Sequence, residues 1–112
     1  MTDVLFVYGS LRSEFDNPHA RLVREKAECL GRATLRGSIF LVGRYPGFRR
    51  EPDGVVHGEL WRLRDPESTL AELDDYEGSK YSRVEIDNAW IYLYLGDVQP
   101  GQRILSGDFL AP

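Results

Sequence analysis

With 112 residues, 42% of them hydrophobic and 29% charged, the chain fits one domain, 1–112, around one core that needs neither disulfides nor metal. A formal net charge of −4, with acidic and basic residues interleaved, argues against nucleic acid as a partner. No apolar run nears the ~20 residues that span a bilayer, the start "MTDVLFVYG" lacks the basic segment and cleavage site of a signal peptide, and a cytoplasmic location is expected. Cys29 is the only cysteine, so no intrachain disulfide forms, and with two histidines beside it no tight zinc site is visible.

Val4 to Tyr8 reads as a continuous apolar strand that runs straight into Gly9-Ser10. Asn17-Pro18 starts a helix, Asn as cap and Pro at the first helical position. That helix is expected to reach about Cys29, with Val23, Ala27 and Leu30 as its stripe, Cys29 as a small buried residue and Gly31 as its stop. Strand character returns from about Ala33 to Val42, and Tyr45-Pro46-Gly47-Phe48 has the residue order of a type II turn. A second turn at Glu51–Gly54 leads into a strand over Val55–Leu63. Asp65-Pro66 opens a second helix, which Gly78 closes. "KYSRVEI" and "AWIYLYL" read as two strands joined by a tight hairpin at Asp87-Asn88, residues that tolerate φ > 0. The tail is expected to add a short strand and an apolar cover. About six strands and two short helices make an α+β protein with a mixed or antiparallel sheet.

In "AWIYLYL" one face carries Trp90, Tyr92 and Tyr94, the other Ile91, Leu93 and Leu95. Neither is polar, so the strand is covered on both sides. Either a strongly curled sheet or small barrel, or a central strand packed on both faces, would do this.

Two places invite chemistry. On the second helix Leu70, Leu73 and Glu77 share a face, which sets a carboxylate on the apolar stripe in the last turn. Burial, the negative end of the helix dipole, and neighbouring Asp74 and Asp75 would each raise its pKa toward the range of a general base or acid. The competing reading has Glu77 fraying into solvent or pairing with Lys80 or Arg83. The second place is "YGSLR". Gly9 permits unusual backbone angles and close approach, and the N–H groups that follow can form an anion-binding nest. An ordinary strand-to-loop turn explains the same residues, and neither a phosphate loop nor a dinucleotide fingerprint is present. His57 reads as a packed or surface residue, His19 has no evident partner, and nothing supports Ser10 as an activated nucleophile.

Taken jointly, "FVYGSLR", "YPG" at Tyr45, "VHGELWRL" at His57, "LDDYEGSKYSRV" at Leu73 and "SGDF" at Ser106 make the chain resemble the gamma-glutamylcyclotransferase-like family over nearly its whole length. Its short members, of gamma-glutamylamine cyclotransferase type, are the most similar. The resemblance implies a small mixed β-barrel of about six strands with two flanking helices. It implies release of 5-oxoproline from a small-molecule gamma-glutamyl substrate, the substrate's α-amine attacking its γ-carbonyl, with no cofactor and no metal. It implies that Tyr8, Gly9, Ser10 and Leu11 hold the glutamyl end, that Glu77 is the catalytic acid and base, that Tyr81, Arg83 and Phe109 form walls, and that Tyr45 stands near the entrance. Leu11-Arg12 departs from the Asn-Leu of the longer glutathione-pathway enzymes. A non-catalytic binding protein with the same pocket is the alternative. A protein-interaction module has little support, because no exposed apolar stripe or charge block is present. The leaving group and the oligomeric state stay open.

Overall fold

The Asn17 side chain accepts the Ala20 N–H at 2.8 Å and Pro18 takes the first helical position, so α1 starts where the cap dictates and spans Pro18–Lys26. The computed structural model describes residues 2–110. Its strands are β1 (Val4–Val7), β2 (Ala27–Arg36), β3 (Ser38–Val42), β4 (Tyr45–Arg49), β5 (Val55–Leu63), β6 (Tyr81–Ile86) and β7 (Ala89–Tyr94), and the second helix, α2, is Pro66–Glu77. Asp65 caps α2, and Gly78, at φ 77°, closes it by donating to the Asp74 carbonyl. Asp87 and Asn88 both take positive φ, 51° and 65°, and make the two-residue turn between β6 and β7.

Four expectations from the sequence are corrected. α1 stops at Lys26, because residues 27–36 pair with β5 from Ala27↔Leu63 to Arg36↔Val55. Gly31, at φ 113°, therefore serves a β-bulge in this strand and stops no helix, while Cys29 and Leu30 are exposed. The long strand expected over Ala33–Val42 is two strands that bend at Gly37, where a Cβ would lie 2.5 Å from the Phe48 ring. "YPGF" is no turn: Tyr45–Arg49 is β4, paired with β3, and the reversal falls at Gly43-Arg44. Pro46 sits at the end of β4 that β7 does not reach, since those two strands meet at Phe48↔Leu93. The tail supplies a single 3₁₀ turn, Pro100–Gln102, and an isolated Phe40↔Arg103 bridge in place of a strand.

The seven strands form one mixed sheet in the order β2-β5-β1-β7-β4-β3, with β6 on β7. It curls into a half-barrel with two helices, the α+β class expected. β6 runs antiparallel along the whole of β7. That leaves one edge of β7 to be shared by β1, parallel at Leu5↔Trp90, and by β4, parallel at Phe48↔Leu93. The sheet forks there. β7 is covered on both faces: Tyr92 packs with Leu5, Val7, Val23, Leu70 and Leu73 beneath the helices, and Ile91 packs with Phe6, Ile39, Phe48 and Val56 inside the curl. Leu95 is the exception, 57% exposed just past the strand. No helix among the described residues is long and apolar enough to cross a membrane.

Candidate active site

Tyr8 continues β1 into the fork. Its hydroxyl donates to the Tyr92 carbonyl at 2.6 Å and accepts the Phe48 N–H at 3.2 Å, so one side chain reinforces the short β4–β7 pairing at Phe48↔Leu93. Burial, then the charges of Glu77 and Tyr81, hold this phenol well above its ordinary pKa, with the Phe48 N–H working the other way. Beside it the splayed strands leave a cavity of about 340 Å³, closed at one end by the last turn of α2. Tyr8, Gly9, Ser10, Leu11, Tyr45, Tyr81 and Glu77 all line it.

Glu77 is the only charged side chain among the lining residues. Its carboxylate has no hydrogen bond or ion pair among the described residues. Burial pushes its pKa up from 4.5 to about 7. Of the three causes expected from the sequence, burial is the one that acts. Asp74 is engaged elsewhere, with Arg83 at 2.9 and 3.1 Å and with the Tyr92 hydroxyl at 2.7 Å. The proposed pairing of Glu77 with Arg83 fails for the same reason.

Gly9 keeps an ordinary φ, so its value is space: a Cβ there would stand 2.8 Å from Pro46 Cγ. The loop turns by donation of the Arg12 N–H to the Gly9 carbonyl at 3.0 Å. Asn17 Nδ2 holds the Ser10 carbonyl at 2.8 Å, and Ser10 Oγ meets the Tyr76 hydroxyl at 3.1 Å. The Ser10 and Leu11 N–H groups meet no acceptor among the described residues. Behind the loop, Arg12 is 1% exposed and ion-paired to Glu14 and Asp108, at 3.0 and 2.8 Å. Buried Glu59 accepts from the Ser13 N–H and hydroxyl and from Trp61 Nε1. A loop so anchored is a fixed wall.

Arg83 and Phe109, expected as walls, do not line this cavity. Arg83 is drawn to Asp74 and lies 4.3 Å above the Trp90 ring, and Phe109 stacks on Phe15 at 5.9 Å in the tail. Tyr45 is half exposed at the rim, near the entrance as expected. Sequence reasoning missed Pro46, Tyr76 and Tyr92, which also line the cavity. Tyr92 was legible only as one of the aromatics on one covered face of β7. Tyr76 carried no signal beyond its place next to Glu77. No group of three or more His, Cys, Asp or Glu placed to hold a metal ion occurs among the described residues.

The family model described as gamma-glutamyl cyclotransferase, AIG2-like, matches residues 5–111. The chain belongs to this family. The gamma-glutamylcyclotransferase family protein YtfP of Escherichia coli K12 is 37% identical over 113 residues, covering 95% of each chain. The solution structure of ytfP from Escherichia coli is similar over 96% of both chains, with TM-score 0.71 and 34% identity. A crystal structure of the uncharacterized protein PH0828 from Pyrococcus horikoshii has TM-score 0.78 and 25% identity over 96% of this chain and 90% of that one. Membership of the gamma-glutamyl cyclotransferase family supports a cyclotransferase-type enzyme.

Proposed function

We propose that this protein releases 5-oxoproline from a gamma-glutamyl amine or amino acid, with Glu77 as base and then acid. The observation that carries this reading is an unpaired carboxylate with a pKa near 7 in the wall of a cavity that also contains free backbone donors. The substrate's α-amine is an ammonium at neutral pH. Glu77 takes one of its protons, and the freed nitrogen attacks the γ-carbonyl carbon. The ring N–C bond forms as the carbonyl π electrons move onto oxygen. The Ser10 and Leu11 N–H groups are the donors available to that oxyanion or to the substrate carboxylate. As the intermediate collapses, the ring nitrogen gives up its second proton to solvent, the bond to the leaving nitrogen breaks and Glu77 returns its proton to that nitrogen. 5-Oxoproline and a free amine result. A group titrating near the working pH serves both transfers, and folding the substrate for an intramolecular attack supplies much of the rate.

No Arg or Lys stands among the lining residues, which favours a neutral or cationic leaving group over an acidic one. The alternative, a binding protein without turnover, leaves Glu77 unexplained, because an anionic ligand gains nothing from a buried carboxylate. The test is 5-oxoproline release from a panel of gamma-glutamyl amines, gamma-glutamyl amino acids and glutathione, wild type beside Glu77→Gln. Turnover by wild type alone supports the reading. Silence across the panel, with saturable 5-oxoproline binding in calorimetry, would replace it with the binding protein.

A further inference from the structure

Asn17 does more than a cap requires. Its Oδ1 accepts the Ala20 N–H at 2.8 Å, and its Nδ2 donates to the Ser10 carbonyl at 2.8 Å. Asp or Ser would cap α1 about as well, but an aspartate has no proton to give that carbonyl. Two residues on, the His19 ring stacks on Tyr76, centroids 3.8 Å apart and planes within 20°. The Tyr76 hydroxyl in turn meets Ser10 Oγ at 3.1 Å. The first turn of α1 thus reaches Ser10 twice, at its backbone and, through Tyr76, at its side chain. Tyr76 is also the residue before Glu77. Neither Asn17 nor His19 lines the cavity; Ser10 and Tyr76 do.

We propose that the first turn of α1 is a brace for the site: Asn17 and His19 are positioning residues that fix the Ser10–Leu11 donors relative to the Glu77 carboxylate. The physical need is plain. The loop carries the donors, α2 carries the base, and the two are far apart in the chain. A displacement of ~1 Å between such groups can cost on the order of 100-fold in rate. A contact from a third element to both removes that freedom. Packing alone would explain the His19 stack, but not an amide nitrogen aimed at the Ser10 carbonyl.

Asn17→Asp separates the brace from the cap. A carboxylate still accepts the Ala20 N–H and suits the helix N-terminus, while the donor to Ser10 is replaced by an acceptor. In ¹⁵N relaxation of the free protein, the variant should lower the order parameters of Ser10 and Leu11 from about 0.85 to below about 0.6, with residues 20–26 unchanged. Unchanged values at Ser10 and Leu11 would overturn the proposal. A second arm rests on the cyclisation reading: kcat should fall about tenfold or more in Asn17→Asp and His19→Ala, with KM little changed, and His19→Phe, which keeps the stack, should restore it. A loosened loop with wild-type kcat in an active enzyme would also overturn the brace. The relaxation arm needs no substrate. If wild type releases no 5-oxoproline, the cyclisation reading falls while the brace is decided by relaxation alone.

Discussion

Asp74 and Glu77 stand three residues apart on the last turn of α2, carry the same chemistry, and end in opposite states. Burial pushes Asp74 up as well, but hydrogen bonds from Arg83 and Tyr92, and the Arg83 charge, outweigh it, and the carboxyl titrates below its ordinary range. Glu77 meets burial with nothing to offset it, and titrates near 7. One helical turn therefore holds a paired carboxylate that titrates low and an unpaired one that titrates near neutrality. What separates them is their partners: β6 and β7 present Arg83 and Tyr92 to one carboxylate, and the fork presents a cavity to the other. Position on the helix, its dipole included, is nearly common to both.

The largest effect expected from breaking this contrast is at Glu77. Glu77→Gln keeps shape and removes the proton, and kcat for 5-oxoproline release should fall about 10³-fold; activity within about twofold of wild type would remove Glu77 from the mechanism. In wild type, only the ionised form accepts the substrate's proton, so kcat/KM should fall about tenfold per pH unit below about 7, a limb absent if Glu77 is a spectator. The same raised value costs stability as pH rises. The unfolded chain ionises first, so the contribution is full below about 4.5, declines toward 7 and is flat above. The loss is on the order of 2 kcal/mol once solvent screening is allowed for, and melting at pH 5 and pH 8 should show it in wild type and not in Glu77→Gln.

Gly9→Val tests the other side of the cavity. Its Cβ must displace Pro46, and calorimetry should find 5-oxoproline binding weakened by about tenfold; unchanged affinity would make the loop a mere turn. Asp74→Asn should have the smallest effect: kcat within about threefold, and no more than about 1 kcal/mol of stability. Asp74 works in the reverse sense to Glu77, its contribution being present above its unfolded pKa and lost as pH falls through the lower folded value. A large loss of turnover in this variant would mean that the two carboxylates act as one unit.

Much of the frame was legible in short stretches. Asp65-Pro66 and Gly78 bound α2, Asp87-Asn88 made the hairpin, and Val55–Leu63 is a strand as read, because caps, proline and positive φ act over a few residues. Glu77 was legible as an acid on an apolar face. Ala27–Leu30 misled because its helical spacing was overridden by ten residues of pairing with β5, a partner that lies beyond any local window. Tyr45–Arg49 misled because Pro-Gly signals a turn unless the surrounding sheet tolerates a missing N–H and needs a residue without Cβ; Gly47 supplies the second, its Cβ position being 2.8 Å from Tyr94. The burial of Arg12 and the stacking of Phe109 on Phe15 had no local signal at all, since both depend on the return of the chain at Asp108.

The sequence by itself determined which residues start each helix and which glycine closes α2, which turn could take positive φ, and which carboxylate would face the apolar side of α2. These follow from backbone sterics and from the 3.6-residue period, which any short segment carries with it. Only the tertiary structure decided that Arg83 goes to Asp74, that β1 and β4 divide the edge of β7, and that Glu77 is left alone in the gap between them. A carboxylate's proton affinity is set by what surrounds it, and those surroundings come from β1, β4, β6 and β7, strands that meet only in the folded chain.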